Sequence, residues 1–228
     1  MIVGKSALED KKLYLKDPTT TELGDKIISN SIKIIDEIGF DNFNFKKLAI
    51  AINSTEASVY RYFENKHKLL FYLISWYWSW IKTTLEYKLY NINSPKEKLK
   101  ISIKAICNSH FDDPETKNIN EEALSRIVIA EAVKSYTTKH VKEDYKAGLF
   151  EAYKVVCSKL EEIIRELNPN YKYPKALAVG VIRLIHKQIF FAQQLPELTD
   201  LSVINEDTSE IEEFICTIIF ATLKVKNN

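Results

Sequence analysis

The sequence predicts an all-α protein, and three observations support this. Apolar residues recur at helical spacing through most of the chain. The hydrophobic fraction of 46% can supply a sizeable core for 228 residues. The five glycines and six prolines are too few for a loop-rich β architecture. We therefore expect about nine or ten helices, arranged as an N-terminal three-helix helix-turn-helix domain followed by a C-terminal helical bundle.

The N-terminal residues predict an arm and a first helix. Residues 1–18 are polar and mixed in charge, which favours a flexible arm that Pro18 ends. Thr19 and Glu22 have the spacing of a capping box, so a helix should begin there and run to about Ile38. The apolar residues at helical spacing on its inner face are Leu23, Ile27, Ile34 and Ile38.

Two short helices are predicted to follow, separated by a tight polar turn. Asn44 is a good N-cap for a helix whose apolar face contains Phe45, Leu48, Ala49 and Ile52. Asn53 tolerates the left-handed backbone of a sharp turn, and Ser54 and Thr55 offer a new N-cap for a helix from about Glu56 to Phe63. Two helices packed across such a turn form a helix-turn-helix, which can place its second helix in a DNA major groove.

The rest of the chain reads as further helices with short breaks. The breaks contain Asn91 to Pro95, Asp112 to Pro114 and Asn168-Pro169, because proline disfavours helix in the residue before it. The predicted helices run from Lys66 to Tyr87 or beyond, Lys96 to Phe111, about Asn120 onward, about Val141 to Leu167, about Pro174 to Leu195, and Ser209 to Val225.

Several classes of function are disfavoured by composition and motif. Cys107, Cys157 and Cys216 are odd in number and far apart, so we expect no disulfide framework, no CxxC metal site and a reducing, cytoplasmic compartment. No apolar signal core and no run of ~18 apolar residues is present, so neither export nor membrane insertion is expected. The four histidines form no HxxxH or HExxH pair, and there is no glycine-rich phosphate loop or GxSxG. We expect no enzyme activity, metal or cofactor.

Charge is nearly balanced overall but not locally. The net charge is +1, whereas Phe45 to Leu70 contains five basic residues against two acidic ones. A local excess of this kind is enough to attract DNA phosphates.

The segment from Asn44 to Leu70 resembles the DNA-binding domain of the TetR/AcrR transcriptional regulators. The run Val59, Tyr60, Arg61, Tyr62 and Phe63 is similar to the end of the family's recognition helix, and Asn65, Lys66, Leu69 and Leu70 are similar to the start of its next helix. The sequence departs from the family pattern at Asn53, Ser54 and Glu56. A carboxylate at position 56 is repelled by phosphates, but it can also accept a hydrogen bond from a cytosine amine, so both roles stay open.

The resemblance implies a ligand-responsive regulator, most simply a repressor, that binds palindromic operator DNA as a homodimer. The expected regions are the arm at 1–18, a DNA-binding domain at 19–66 and an effector-binding and dimerisation domain at 67–228. The phosphate contacts would be Lys46, Lys47, Tyr60, Tyr62 and Lys66. The residues nearest the bases would be Thr55, Glu56, Ala57, Ser58 and Arg61. Two alternatives remain, namely a helical-bundle enzyme or metal protein and a helical scaffold with an incidental helix-turn-helix.

Two further sets of residues are predicted for the C-terminal region. Aromatic residues on the Lys66 helix either pack in the core or wall a pocket for a small, mostly apolar effector. The candidate ligand contacts are Trp76, Tyr77, Trp80, His110, Phe111, Arg126, Ile127, His186 and Phe190. Apolar stripes on the last two helices either are internal core or form a four-helix dimer interface. The candidate interface residues are Ala178, Ile182, Ile185, Ile189, Ala192, Ile211, Ile215 and Ile218.

Overall fold

A computed structural model describes residues 13–111, 119–136 and 150–225, with only the backbone for 132–136. These residues form nine α-helices and no β-sheet, which confirms the predicted fold class. The helices are α1 (Glu22–Asn42), α2 (Phe45–Ala51), α3 (Glu56–Tyr60), α4 (Lys66–Lys88), α5 (Pro95–Asn108), α6 (Glu121–Tyr136), α7 (Glu151–Leu167), α8 (Pro174–Gln194) and α9 (Ser209–Leu223). No helix in the described ranges is both long and apolar enough to cross a bilayer.

Helix starts agree with the sequence better than helix ends. Helices α4, α8 and α9 begin at the predicted residues. Helix α3 is shorter than predicted, because the chain tightens after Tyr60 and the Tyr62 amide donates to the Val59 carbonyl at 2.9 Å, three residues back. Helix α1 continues to Asn42, although Gly39 interrupts it with a φ of +75°. The predicted helix start near Val141 lies outside the described residues.

The capping box predicted at Thr19 is wrong, although the helix does begin at Glu22. The N-cap is Thr21, whose hydroxyl accepts from the Gly24 amide at 3.1 Å. Thr19 instead belongs to a 3₁₀ turn at Pro18–Thr20, and the Asp17 carboxylate accepts from the Thr19 amide at 2.8 Å. Two successive caps therefore order the chain before α1.

The 3₁₀ turn packs closely against the first turn of α1. A Cβ atom on Gly24 would lie 2.0 Å from the carbonyl oxygen of Pro18. Only a residue without a side chain fits this approach.

Part of the predicted flexible arm is held in place. Residues 1–12 lie outside the described residues, but the Leu13 side chain is only 2% exposed and Pro18 is buried. The Leu15 amide donates to the Tyr62 carbonyl at 2.7 Å. The segment 13–18 is therefore part of the folded structure, because it packs against residues that follow α3.

The chain divides into two compact units. Of the described residues, the first unit comprises 13–80, 119–136 and 150–153, and the second comprises 81–111 and 154–225. In the first unit α1 packs against both α2 and α6. In the second unit α9 packs against α5 and α8, and α5 also packs against α8. The predicted functional boundary at residues 66 and 67 remains a prediction.

The apolar stripes predicted as a dimer interface are core residues of the second unit. Each of Ala178, Ile185, Ile189, Ile211 and Ile215 is 0% exposed within a single chain, and Ile182 is 1% exposed. For those six residues this burial favours a role in the core over the predicted contact with a second chain. Only Ala192 and Ile218 of the predicted set are partly exposed.

Candidate DNA-binding site

The turn between α2 and α3 is built by hydrogen bonds within the local sequence. The Asn44 side chain accepts from the Lys47 amide at 2.9 Å and caps α2. Asn53 adopts the predicted left-handed conformation, with a φ of +51°. The Thr55 hydroxyl accepts from the Ser58 amide at 3.2 Å and caps α3. These three predictions are confirmed, and together they make a helix-turn-helix.

Buried side chains fix the orientation of α3. Leu48 of α2 and Val59 of α3 are fully buried, and the ring of Tyr60 packs edge-on against Phe45 with centroids 4.9 Å apart. The predicted base-side residues consequently lie on the outer side of α3 and its flanks. Ser58 is half-buried and the others are exposed, namely Thr55, Glu56, Ala57 and Arg61.

Glu56 has a structural role at the start of α3. It is exposed and occupies the first position of the helix, where the positive end of the helix dipole stabilises a carboxylate. This explains an acidic residue here without any contact to DNA. Whether Glu56 is repelled by phosphates or accepts a hydrogen bond from a cytosine amine stays a prediction.

Tyr62 is a core residue. Its side chain is only 3% exposed, and its hydroxyl lies 2.7 Å from the Thr21 hydroxyl at the start of α1. This geometry favours a role in joining α3 to α1 over the predicted phosphate contact.

Lys66 is engaged inside the domain. Its Nζ donates to the carbonyl oxygens of Phe40 and Phe43 at 3.0 Å and of Asp41 at 3.1 Å. It also lies 4.7 Å from the centre of the Phe40 ring. An ammonium has three protons, so all of its donors are used at the C-terminal end of α1, where a cation is favoured. The geometry favours this capping role over the predicted phosphate contact.

We therefore expect Lys66→Met to lower stability rather than to remove an ionic DNA contact. Hydrogen bonds to charged groups contribute about 1.5–3 kcal/mol each, and three carbonyls lose their donor, so the free energy of unfolding should fall by at least about 2 kcal/mol. Urea unfolding measures this loss. The salt dependence of DNA binding by the folded variant should equal that of wild type.

Lys46→Met is the matched control, because Lys46 is an exposed lysine of the same domain. It should lower the salt slope and leave the unfolding midpoint nearly unchanged. If Lys66→Met instead lowered the salt slope without lowering the unfolding midpoint, Lys66 would belong to the interface.

The remaining predicted cations are on the surface. Lys46, Lys47 and Arg61 are exposed. Lys47 donates to the Asn42 carbonyl at 2.9 Å, which holds its ammonium near the start of α2.

One further cation near α3 has no counterpart in the sequence prediction. Lys16 lies on the segment before α1, and its Nζ is 5.0 Å from the centre of the Tyr62 ring. Its position depends on a contact across 46 residues, which no local pattern reveals. Only Asp17-Pro18, a helix-start signal, indicates that this segment is ordered.

The candidate ligand contacts divide between the two units. In the first unit Trp76 and Trp80 stack with centroids 6.3 Å apart, and Tyr77 and Ile127 are buried. The second unit holds His110, Phe111, His186 and Phe190. The predicted pocket as a whole remains a prediction.

Arg126 forms an ion pair that joins α6 to α1. Its Nε and Nη2 donate to the two carboxylate oxygens of Asp36 at 2.9 and 2.7 Å, and its Nη1 donates to Glu122 at 2.6 Å. These hydrogen bonds raise the pKa of the guanidinium above its usual range. The geometry favours a structural role for Arg126 over the predicted ligand contact.

Two buried histidines meet in the second unit. The rings of His110 and His186 have centroids 5.1 Å apart, and the side chains are 2% and 9% exposed. Burial lowers the pKa of His186 to about 4 and that of His110 well below its usual value. Both are therefore neutral at pH 7. Within the described residues neither ring nitrogen of His110 has a hydrogen-bond partner.

Comparison with known proteins agrees with this geometry. Residues 27–73 match the family model described as bacterial regulatory proteins, tetR family. None of the curated proteins matches the sequence significantly.

Several solved structures share the fold over most of the chain. The fatty acid degradation regulator FadR from Bacillus halodurans has a TM-score of 0.63 at 17% identity, covering 89% of this chain and 96% of its own. A TetR transcriptional regulator from Legionella pneumophila has a TM-score of 0.59 at 19% identity, covering 90% and 98%. The regulator AibR, in complex with isovaleryl coenzyme A and operator DNA, has a TM-score of 0.59 at 14% identity, covering 88% and 97%.

At 14–19% identity, the solved structures show only that the fold is alike. The family match is separate evidence, and it covers the helix-turn-helix. Residues 27–73 thus belong to the tetR family of bacterial regulatory proteins, and the described residues as a whole share an all-α fold with the solved structures.

Proposed function

We propose that this protein is a transcriptional regulator that binds palindromic operator DNA as a homodimer and releases it when a small molecule occupies the C-terminal region. The observation that carries the proposal is the capped helix-turn-helix, whose α3 has an exposed outer side in a domain that matches the family. In such a dimer the two copies of α3 enter successive major grooves about 34 Å apart. A ligand releases the DNA if it binds better to an arrangement that no longer has this spacing.

The exposed residues around α3 supply the DNA contacts in this proposal. Lys46 and Arg61 contact phosphates or base edges, and their neighbours in sequence, Phe45 and Tyr60, pack against each other. Thr55, Ala57 and Ser58 lie nearest the bases at the start of α3.

Arg61→Ala should weaken DNA binding and lower its salt dependence. One lost phosphate contact reduces the slope of log K against log salt by about 0.9. A fluorescein-labelled genomic fragment, isolated by pull-down with the wild-type protein, serves as the probe in anisotropy titrations at several salt concentrations.

Arg165→Ala is the matched control, since it removes the same side chain from an exposed position in the second unit. It should bind like wild type. A wild-type slope for Arg61→Ala would remove Arg61 from the interface, and failure of the wild-type protein to retain any fragment would contradict the proposed function.

The dimer in this proposal uses the outer faces of α8 and α9. Leu184 and Phe191 of α8 are only half-buried in the single chain, and Gly180 is exposed on the same face. Helix α9 has no charged residue from Phe214 to Leu223, although its outer face is not covered. The residues on that face are Phe214, Thr217, Ile218 and Ala221. A helix that is apolar on all sides is normally buried on all sides, and a second copy of the same two helices would cover it.

The effector in this proposal is mostly apolar and carries a group that can form hydrogen bonds. Neutral His110 offers such a partner within an apolar core, since an imidazole without charge both donates and accepts. The AibR structure contains isovaleryl coenzyme A, so short acyl thioesters are a reasonable first series of compounds to test.

A further inference from the structure

The segment that precedes α1 places a lysine beside the end of α3. The Leu15 amide donates to the Tyr62 carbonyl at 2.7 Å, and the buried Leu13 side chain anchors the segment in the first unit. On the other side of Lys16, Asp17 caps the 3₁₀ turn. Lys16 is thus fixed from both sides along the chain.

The ammonium of Lys16 faces the ring of Tyr62, with Nζ 5.0 Å from the ring centre, and the residue is exposed. Within the described part of the chain it has no ion pair. Its neighbour in the chain, Asp17, accepts hydrogen bonds from the amide and the hydroxyl of Thr19. Lys16 therefore keeps its charge available at the surface.

Tyr62 follows directly after Arg61, so Lys16 lies next to the C-terminal end of the proposed recognition helix. Contact between Tyr60 and Phe45 brings the start of α2, with Lys46, to the same end. The three exposed cations Lys16, Lys46 and Arg61 thus lie on three separate segments that meet at residues near the end of α3. A duplex that receives α3 in its major groove presents phosphates along both edges of that groove.

We propose that Lys16 is a further DNA-backbone contact, held at the edge of the helix-turn-helix by the docking of residues 13–17 on Tyr62. The inference rests on the proposed function, since it assumes that α3 faces DNA. It adds an ionic contact from outside the helix-turn-helix.

Lys16→Ala should lower the salt slope of binding to a fluorescein-labelled random-sequence duplex by about 0.9, measured between about 50 and 200 mM KCl. The same slope predicts an affinity about eightfold weaker at 0.1 M salt, if the ionic contribution vanishes at 1 M. Lys16→Arg should keep the wild-type slope. Lys33→Ala, which removes an exposed lysine from the middle of α1, is the charge-matched control and should bind like wild type.

Thermal unfolding of each variant separates a DNA contact from a structural role. Lys16→Gln keeps most of the stem against Tyr62, so it should unfold near the wild-type temperature while losing the same slope as Lys16→Ala. A wild-type slope in both neutral variants, with Arg61→Ala still reduced, would overturn this inference and leave the proposed function intact. Absence of measurable binding by wild type would instead contradict the proposed function.

Discussion

Gly180→Arg is expected to convert the protein to a monomer and to abolish tight operator binding. Gly180 is exposed in the middle of α8, and a Cβ added there meets no atom within 4 Å. The chain should fold normally, because replacing a helical glycine favours the helix by about 1 kcal/mol. In a two-fold interface, however, the substitution appears twice and places two charged side chains in an apolar contact.

In the proposed dimer the two half-sites are bound together, so the effect on DNA should be large. Loss of a linked second site lowers apparent affinity by about 10²–10⁴. Light scattering at micromolar concentration reports the mass, and anisotropy with the genomic fragment reports the affinity. Gly180→Ala is the control and should remain dimeric. A dimeric Gly180→Arg that still binds DNA would exclude this face of α8 from the interface.

Gly24→Ala is expected to destabilise the first unit strongly. The new Cβ would lie 2.0 Å from the carbonyl oxygen of Pro18 and 2.6 Å from two other backbone atoms of that residue. Backbone atoms cannot move aside as a flexible side chain does, so the 3₁₀ turn has to separate from α1. Overpacking of this kind costs about 3 kcal/mol or more, which exceeds the roughly 1 kcal/mol that alanine gains in helix propensity.

For a chain of this size, about 3 kcal/mol corresponds to a fall in the melting temperature of roughly 6–12 °C. Calorimetry on Gly24→Ala and Gly180→Ala compares the same substitution in a crowded and an open helical position. The second variant should melt at or slightly above the wild-type temperature. Equal melting of the two variants would show that the turn before α1 tolerates displacement.

Features that depend on neighbouring residues could be predicted from the sequence. The caps at Asn44 and Thr55 and the left-handed Asn53 each involve groups only a few residues apart, so residue type decides them. The starts of α4, α8 and α9 followed from local signals of the same kind.

Features that depend on distant contacts could not be predicted. Lys66 resembles a surface cation in sequence, but its acceptors lie 23 to 26 residues earlier in the chain. The stripe containing Ile185 shows that one face of α8 is apolar, yet periodicity cannot tell whether α5 and α9 or a second chain cover it. The meeting of His110 with His186 likewise requires the packing of α5 against α8.

The helix-turn-helix domain cannot be transplanted as one continuous segment, because α6 docks on α1. The first unit is discontinuous in sequence, because it includes α6. Arg126 of α6 donates two hydrogen bonds to Asp36 of α1. A fragment cut after residue 66 or 80 would leave Asp36 without its guanidinium and one face of α1 open to water. A chimera that attaches this helix-turn-helix domain to a foreign sensor domain therefore has to carry α6 with it.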